Sequence, residues 1–392
     1  MDSLPNTVIP RFNTPNLFSL LFLRFLSSGK TTRMSAENPS ITPSRPLLVR
    51  TLTGEKTTRA PFWFMRQAGR YLPEYRALRQ RSSDFVRFCL DPELAAEVTI
   101  QPLRRFDMDA AILFADILLI PHALDAGLAF KEGEGPVLEP VTDTPGIARV
   151  EAAADRVADR LAPVYETVAR VRAALPADKA VIGFAGSPWT VATYMVEGGG
   201  GHDFRHVRRM ALTEPALFAR LIAVLVRTTI AYLERQIASG ADAIQLFDTW
   251  AGVLPADEFE RWCVAPTAAI VAALRRSHPH VPVIGFPRGA GTGLVRYAEA
   301  TYVDAVGLDA GVAPAWAAEN LPERFCLQGN LDPLLILTGG QAMEDAAHAI
   351  LHAWRRRAFV FNLGHGITPD VPIAHVERLS AIVAGWRRDM AP

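Results

Sequence analysis

Residues 62–75 read FWFMRQAGRYLPEY, an apolar run of strand type that leads directly into a turn with two arginines. Arg66 and Arg70 are four positions apart, so a helical turn would point both guanidinium groups to the same side. Paired guanidinium groups are suited to binding carboxylates or phosphates by pairs of hydrogen bonds. The same spacing also occurs in surface arginines with solvated heads, so spacing alone leaves both interpretations open.

More short apolar runs follow this segment, with helical patterns between them. The eight predicted strands are 62–65, 110–114, 180–184, 243–247, 281–286, 303–308, 325–328 and 359–363. Strand–helix units in this number, without a sequence repeat, predict an α/β fold that is a single (β/α)8 TIM-type barrel. A doubly wound open sheet is the alternative, but a crossover after each strand favours closure. We assign residues 45–392 to the barrel, with an extra N-terminal helix and a long early βα insertion.

Several helices are predicted from apolar spacing. Residues 157–175 carry an amphipathic face that Pro163 interrupts, which predicts a break or a new helical start there. A long helix is expected to begin near Pro215 and to end before Gly240, which suits a left-handed cap. Two further helices are predicted over the ranges 343–354 and 376–386, and a hairpin is expected in the insertion at 126–146.

The first 44 residues are expected to be a disordered extension outside the barrel. Residues 1–33 contain no alanine, and the hydrophobic stretch 17–26 is shorter than the ~20 residues that a membrane span needs. Two explanations stay open: a start codon placed upstream of Met34, which we favour, or an organelle transit peptide. We therefore expect a cytoplasmic protein, and an organellar one if residues 1–33 are a transit peptide.

The charge balance limits the kinds of partner. The chain has 41 Lys and Arg against 41 Asp and Glu, so no bulk field draws it to nucleic acid or to a membrane, and neither is expected as a partner. A polyanionic substrate would have to meet locally clustered arginines. Cys89, Cys263 and Cys326 lie far apart without a CxxC motif, which indicates a reducing compartment and argues against a thiolate metal site.

Polar side chains follow the predicted strands where these end, which is where barrels of this type place their chemistry. The residues at these ends are Arg66, Asp116, Gly186, Ser187, Asp248, Pro287, Arg288, Asp309, Gln328, Asn330, Asn362 and His365. A purely structural protein would have little reason to place so much charge on one rim. The sequence therefore predicts a ligand site there.

Individual positions on this rim keep more than one interpretation. Asp116 follows an apolar run, so it either caps a helix or pairs with an arginine, or it accepts ligand N–H groups and balances a cationic intermediate. His365 lies between two glycines that let a ligand approach closely, which favours binding over packing. The glycines 198–201 suggest a mobile loop at the site mouth, either a simple linker or a lid.

Several motifs, in order along the chain, resemble the uroporphyrinogen decarboxylase family. They are MRQAGRYLPEY, ILFADIL, GFAGSPWT, TYMVEGG, QLFDTWAG, FPRGAG, LQGNLDP and FNLGHGI, and the likeness covers nearly everything from about residue 45 onward. The resemblance implies a (β/α)8 barrel that acts as a homodimer, without metal or organic cofactor, in haem and tetrapyrrole biosynthesis. It implies decarboxylation of the four acetate side chains of uroporphyrinogen III to methyls, giving coproporphyrinogen III and carbon dioxide.

The resemblance also implies roles for particular residues. Catalytic roles are expected for Asp116, Arg66 and Arg70, in which the arginines bind carboxylates and the aspartate binds the pyrrole N–H groups. The expected substrate-binding residues are Arg66, Gln67, Arg70, Asp116, Phe184, Tyr194, Thr249 and His365. Thr249 stands where the family usually has Ser, and its retained hydroxyl is expected to preserve activity.

Two other functions were weighed. One is a corrinoid or thiol methyltransferase of the same barrel superfamily, which needs a zinc site of His and Cys, and Cys263 and Cys326 have no suitable partners in the sequence. His348 and His352 share the spacing of a helical ligand pair, but they fit a solvated or packed helix better. The other function is a non-catalytic tetrapyrrole-binding protein. No metal site is expected.

Overall fold

The computed structural model describes residues 45–82, 84–131, 135–201 and 203–390, so the expected N-terminal extension lies outside the described residues. The strands are β1 Ala110–Ile112, β2 Ala129–Lys131, β3 Gly135–Val137, β4 Ala180–Gly186, β5 Ala243–Asp248, β6 Val283–Pro287, β7 Ala305–Gly307, β8 Cys326–Leu331 and β9 Phe359–Leu363. The α-helices are α1 Leu47–Leu52, α2 Pro73–Arg79, α3 Phe85–Cys89, α4 Pro92–Phe106, α5 Leu119–Ala123, α6 Thr144–Ala153, α7 Val157–Arg160, α8 Ala162–Ala174, α9 Pro188–Glu197, α10 Arg205–Thr213, α11 Pro215–Ala238, α12 Ala256–Phe259, α13 Ala265–Ser277, α14 Gly293–Thr301, α15 Pro314–Asn320, α16 Pro333–Thr338, α17 Gly340–Ala353 and α18 Ile373–Gly385.

A curled parallel sheet of seven strands, in the order β1-β4-β5-β6-β7-β8-β9, forms the centre of the fold. Its strands overlap seven of the eight predicted runs, and β9 has the predicted bounds. The eighth run, 62–65, forms no regular strand and contributes one parallel bridge, from Phe62 to Phe361. The seven-stranded α/β sheet is consistent with a TIM-type barrel.

The segment around Phe62 differs from a strand because side chains take the place of ladder partners. The backbone N–H groups of Phe62, Phe64 and Met65 donate to the side chains of Asp109, Gln67 and Asn362, over 2.9, 3.1 and 3.0 Å. A run of backbone-to-backbone bonds is what defines a strand, so the periodicity alone could not reveal this difference. The segment still links both sheet edges, since Phe62 O accepts from Asp109 N and Pro61 O accepts from Phe361 N.

The interior of the sheet has its own apolar cluster, separate from the layer under the outer helices. Small side chains occupy its amino-terminal end, namely Ala110, Ala180, Ala243, Ala305, Cys326 and Ala358. The space they leave is filled by Leu48, Val49 and Leu52 of α1, which belong to the same cluster. Helix α1 thus buries its apolar face against the amino-terminal end of the curled sheet.

Three strands are each preceded by an aspartate that fixes where the strand begins. Asp109, Asp242 and Asp304 each accept a backbone N–H of the neighbouring strand segment, from Phe62, Val181 and Val283 respectively. Each aspartate also pairs with an arginine from the preceding part of the chain, and these arginines are Arg59, Arg172 and Arg275. Charge-assisted hydrogen bonds of this kind align adjacent strands and pair the charges of these three aspartates.

The outer elements confirm most of the helix predictions. Helix α7 ends at Arg160 and α8 begins at Ala162, so the chain does break next to Pro163. Helix α11 ends at Ala238 and Gly240 has a φ of +113°, in the left-handed region. Strands β2 and β3 form the hairpin expected in the insertion. Among the described helices, α11 is long and apolar enough to cross a membrane by composition, yet half of that window is buried, as in a core helix.

The glycine run at 198–201 is not a free loop over its described length. Gly199 forms an antiparallel bridge with Val137, and Leu138 N donates 2.9 Å to Gly198 O. The early hairpin thus supplies backbone partners for Gly198 and Gly199 that the local sequence does not show, and the mobility of the loop stays a prediction.

We expect Asp109→Ala to lower the free energy of unfolding by about 3 kcal/mol, because it leaves Arg59 and the Phe62 N–H without their buried acceptor. Urea unfolding measures the change. The control is Glu97→Ala, which removes an exposed bridge to Arg104 and should lose far less. Equal losses from both variants would contradict a special role for Asp109.

Candidate active site

The turn that carries Arg66 and Arg70 is not helical. Arg66 has a φ of +60°, in the left-handed region, and Gln67 N closes the turn by donating to Phe64 O over 2.9 Å. The condition under which the spacing would align both guanidinium groups is therefore not met. Both arginines are exposed.

Arg66 is directed along the backbone of the His365 loop. A Cβ atom at Gly366 would lie 2.4 Å from Cδ and 2.6 Å from Cγ of Arg66, so only glycine leaves room for the arginine stem. Ile367 N donates 2.9 Å to Met65 O, which joins the two loops. The glycine after His365 therefore leaves the space that the Arg66 side chain occupies.

Asp116 is half-buried beyond the end of β1, and its Oδ1 accepts 2.8 Å from Leu118 N. Burial raises the pKa of its carboxyl, while the hydrogen bond from Leu118 and the charge of Arg66 oppose the shift. The aspartate therefore does form a local turn, and its other oxygen accepts no hydrogen bond from the described part of the chain. The local turn predicted for Asp116 is therefore present, and its ligand-binding role stays a prediction.

Tyr194 lies on α9, half-buried, with its ring 6.4 Å from the ring of Trp250. Burial raises the pKa of its phenol, Asp116 raises it further and Arg66 lowers it, which places all three residues in one electrostatic neighbourhood. Thr249 is half-buried beside Trp250 in the turn that follows β5.

His365 follows β9 and is half-buried. Burial lowers the pKa of its imidazole to about 4, helped by the charges of Arg66 and Arg288 and opposed by Asp309. The ring is therefore neutral at neutral pH, where it offers one hydrogen-bond donor and one acceptor. The charge of Arg66 thus acts on Asp116, on Tyr194 and on His365.

The other predicted residues take different positions. Arg70 is exposed, and its charge opposes the burial that raises the pKa of Tyr75 to about 12. Gln67 is fully buried, where its side-chain amide accepts from Phe64 N and donates 3.1 Å to Ala110 O. The contacts of Gln67 are structural, and its substrate contact stays a prediction. Phe184 is buried, with its ring edge-to-face against Phe247 at 5.6 Å.

Asp248 is a buried carboxylate that we did not assign to the site from the sequence. It is fully buried at the end of β5, its Oδ1 accepts 2.6 Å from the Thr190 hydroxyl, and burial raises its pKa to about 6. The Thr190 hydroxyl also accepts 3.1 Å from Trp250 N, so Asp248 fixes the turn that carries Thr249. Its place at a predicted strand end and its position in QLFDTWAG were the signals for it in the sequence, which gave it no role of its own.

Arg288 is a second residue to which the sequence assigned no individual role, although it is one of the residues at the strand ends. It lines a cleft of about 430 Å³ at the carboxyl ends of the strands, together with His365 and Asp309. A larger cavity of about 880 Å³ lies at the opposite, amino-terminal face, and it includes Tyr302 and Arg324 but none of the predicted site residues.

Within the described part of the chain, no group of three or more His, Cys, Asp or Glu side chains could hold a metal ion. Cys89, Cys263 and Cys326 are buried, and burial raises the pKa of each thiol, which disfavours thiolate ligands. His348 is exposed on α17, as expected of a solvated helix face.

Arginines, a half-buried aspartate and a neutral histidine at the strand ends define the class of α/β barrel enzyme that binds anionic substrates at this rim. The chain belongs to the uroporphyrinogen decarboxylase (URO-D) family, whose model matches residues 43–386.

Curated relatives agree with the family match over nearly their whole length. The chain is 56% identical to uroporphyrinogen decarboxylase from Rhizorhabdus wittichii, over 87% of this chain and 98% of the relative. It is 55% identical to that from Sphingopyxis alaskensis, over 86% and 98%. A methyltransferase from Methanosarcina mazei is similar in structure, with a TM-score of 0.72 at 17% identity over 86% of this chain and 97% of that one, which shows the fold alone.

We expect Gly366→Ala to preserve the fold and to impair substrate binding, because the added methyl displaces the Arg66 stem. KM should rise by about tenfold, the scale of one charge-assisted contact. Steady-state kinetics and circular dichroism check this. Gly385→Ala is the matched control, since a Cβ there meets nothing within 4 Å. Wild-type KM in Gly366→Ala would contradict the placement of Arg66.

Asp248 should make stability depend on pH. Its pKa is about 6 in the folded protein against 3.8 for a free side chain, so the folded state binds a proton first as pH falls. The wild type should therefore gain up to about 3 kcal/mol relative to Asp248→Asn between about pH 7 and pH 4. Urea unfolding at both ends of this range measures it, and parallel pH curves for the two proteins would contradict it.

Proposed function

We propose that the chain removes the carboxyl groups of the four acetate side chains of uroporphyrinogen III, giving coproporphyrinogen III and carbon dioxide. The relatives that share half or more of its residues carry the name of this activity. The observation that carries the proposal is the half-buried carboxylate of Asp116, which has one oxygen that accepts no hydrogen bond from the described residues and which lies within the electrostatic field of Arg66. That pair offers a negative charge for a cationic ring and a positive charge for a carboxylate.

The reaction needs an electron sink. Protonation of the pyrrole carbon next to the acetate makes an iminium-like cation, which accepts the electron pair when the carbon–carboxyl bond breaks. The exocyclic carbon then takes a proton and becomes methyl, while the ring carbon loses the proton it gained. Net, each acetate takes up one proton and releases carbon dioxide.

Asp116 stabilises the cationic ring. It has an oxygen available to accept the pyrrole N–H groups, and its negative charge is worth most in a site from which water is excluded. Burial disfavours the ionised carboxylate, and binding a cation restores it. The stabilisation is therefore larger in the transition state than in the free enzyme, which is the condition for catalysis.

Arg66 and Arg70 anchor carboxylates, and they are poor proton donors. A guanidinium has a pKa above about 12, which is mismatched to a general acid at neutral pH. The raised pKa of Asp116 makes it a better carrier of a proton, taken from water or from a protonated substrate carboxyl. His365 is neutral and serves as a hydrogen-bonding group, beside Tyr194 and Thr249.

The wider assignments belong to the same proposal. The bonds that join Pro61 and Phe62 to both sheet edges support a closed (β/α)8 barrel of residues 45–392. We place the protein in the cytoplasm as a homodimer that acts in haem biosynthesis without cofactor, nucleic acid or membrane. Sedimentation at micromolar concentration tests the dimer.

Asp116→Asn should lower turnover by at least about 100-fold, because the amide removes the charge that stabilises the ring cation. The fold should persist, since an amide oxygen can still accept from Leu118 N. The measurement is anaerobic incubation with uroporphyrinogen III, followed by oxidation and chromatography by carboxyl count.

Asp370→Asn is the matched control, because Asp370 is an exposed acid on the same rim. Products with fewer carboxyl groups from the wild type and the control alone are expected. Equal turnover by Asp116→Asn would remove our role for Asp116 and keep the reaction. Tight binding without turnover by the folded wild type would indicate a binding protein instead.

A further inference from the structure

We propose that Arg288 forms a second carboxylate-binding subsite beside His365, in addition to the one at Arg66. The subsite takes an alkyl carboxylate of the substrate, and this inference rests on the proposed function. Four features of Arg288 support it. Its side chain has no acceptor among the described residues, and hydrogen bonds hold its backbone on both sides. The neighbouring acid Asp309 already accepts other hydrogen bonds, and the charges of Arg288 and Arg66 both act on His365.

The guanidinium of Arg288 has no acceptor in the described ranges 45–82, 84–131, 135–201 and 203–390. The side chain is nevertheless half-buried, at the end of β6. Three arginines at the opposite face differ from it, since Arg59, Arg172 and Arg275 each hold an aspartate. Partial burial of an unpaired cation costs free energy, so this position is suited to a ligand anion.

The backbone of Arg288 is fixed on both sides. Its N–H donates 3.1 Å to Asp248 O, and its carbonyl accepts 3.1 Å from Gly252 N. A Cβ atom on Gly252 would lie 2.6 Å from Gly289 O, so the two loops are in close contact. The side chain therefore projects from a rigid base, which lowers the entropy cost of binding a ligand.

The neighbouring acid is already in use. Asp309 accepts 2.7 Å from Gly289 N with one oxygen and 2.9 Å from Gly311 N with the other. Its carboxylate thus holds the loops after β6 and β7 together instead of forming an ion pair with Arg288. Asp332, on the same cleft, likewise caps α16 by accepting from Leu334 N.

The charges of Arg66 and Arg288 both act on His365. An anionic group near this neutral ring therefore experiences two cations, which come from different strand ends. The substrate carries many carboxylates, and one arginine holds only one of them in a bidentate contact. A second fixed cation near His365 would orient the macrocycle about the ring that reacts.

The carboxylate can come from either of two side chains. Acetates are consumed in the reaction, whereas propionates persist in coproporphyrinogen.

The test uses Arg288→Gln, which removes the charge, and Arg288→Lys, which keeps it. Arg276→Gln is the control, because Arg276 is exposed at the opposite face and lines the cavity there. KM and kcat are measured with uroporphyrinogen III, and the Kd of coproporphyrinogen III is measured anaerobically.

Arg288→Gln should raise KM by about tenfold and change kcat by less than about threefold, with most of the loss recovered in Arg288→Lys. Weaker binding of both compounds would assign a propionate, and weaker binding of uroporphyrinogen alone an acetate. Unchanged KM and Kd in folded Arg288→Gln, with normal wild-type turnover, would overturn the subsite and leave the proposed function intact. If the wild type does not turn over, the proposed function fails, and the Kd of uroporphyrinogen for wild type and variant decides the subsite.

Discussion

The junction at Pro61–Gln67 is the constraint on which the rest of the structure depends, because it joins the two edges of the sheet. Three of its amides bond to side chains, those of Asp109, Gln67 and Asn362. These acceptors are buried, so they hold the segment without competition from water. A regular strand would have passed through the junction without turning. The side-chain acceptors let the chain leave the ladder immediately after Met65, which places Arg66 at the rim.

Several arginines at the amino-terminal face of the sheet have partners within the chain, whereas two at the carboxyl-terminal face do not. At the amino-terminal face, arginines pair with the aspartates that begin the strands, or they bind carbonyl groups, as Arg388 does at Trp354 and Arg357. At the carboxyl-terminal face, Arg66 and Arg288 have no acceptor among the described residues. These two guanidinium groups are therefore available to a ligand at the face where α/β barrels place their active sites.

The sequence predicted the strands well, because a parallel barrel strand is buried on both sides and reads as a short apolar run. It failed where a residue's partner is distant in the chain. The 62–65 segment has the composition of a strand, but its acceptors come from Asn362 and Asp109. The glycine-rich composition at 198–201 suggested a mobile loop. The backbone partners of Gly198 and Gly199 lie in a hairpin some 60 residues earlier, which the local sequence does not show. The resemblance implied a cleft role for Gln67, and the sequence could not show that its amide also supports the backbone at Phe64 and Ala110.

Burial shifts the pKa values of His365 and Asp116 in opposite directions. It lowers the pKa of His365 and raises that of Asp116, so at neutral pH the histidine is uncharged and the aspartate lies closer to its protonation point. The positive charge of the site therefore comes from arginines, whose charge does not change with pH. Carboxylate binding should then vary little with pH, whereas stabilisation of a ring cation is lost as pH falls through the raised pKa of Asp116. An acid limb in turnover without a matching change in KM is the kinetic result of this division.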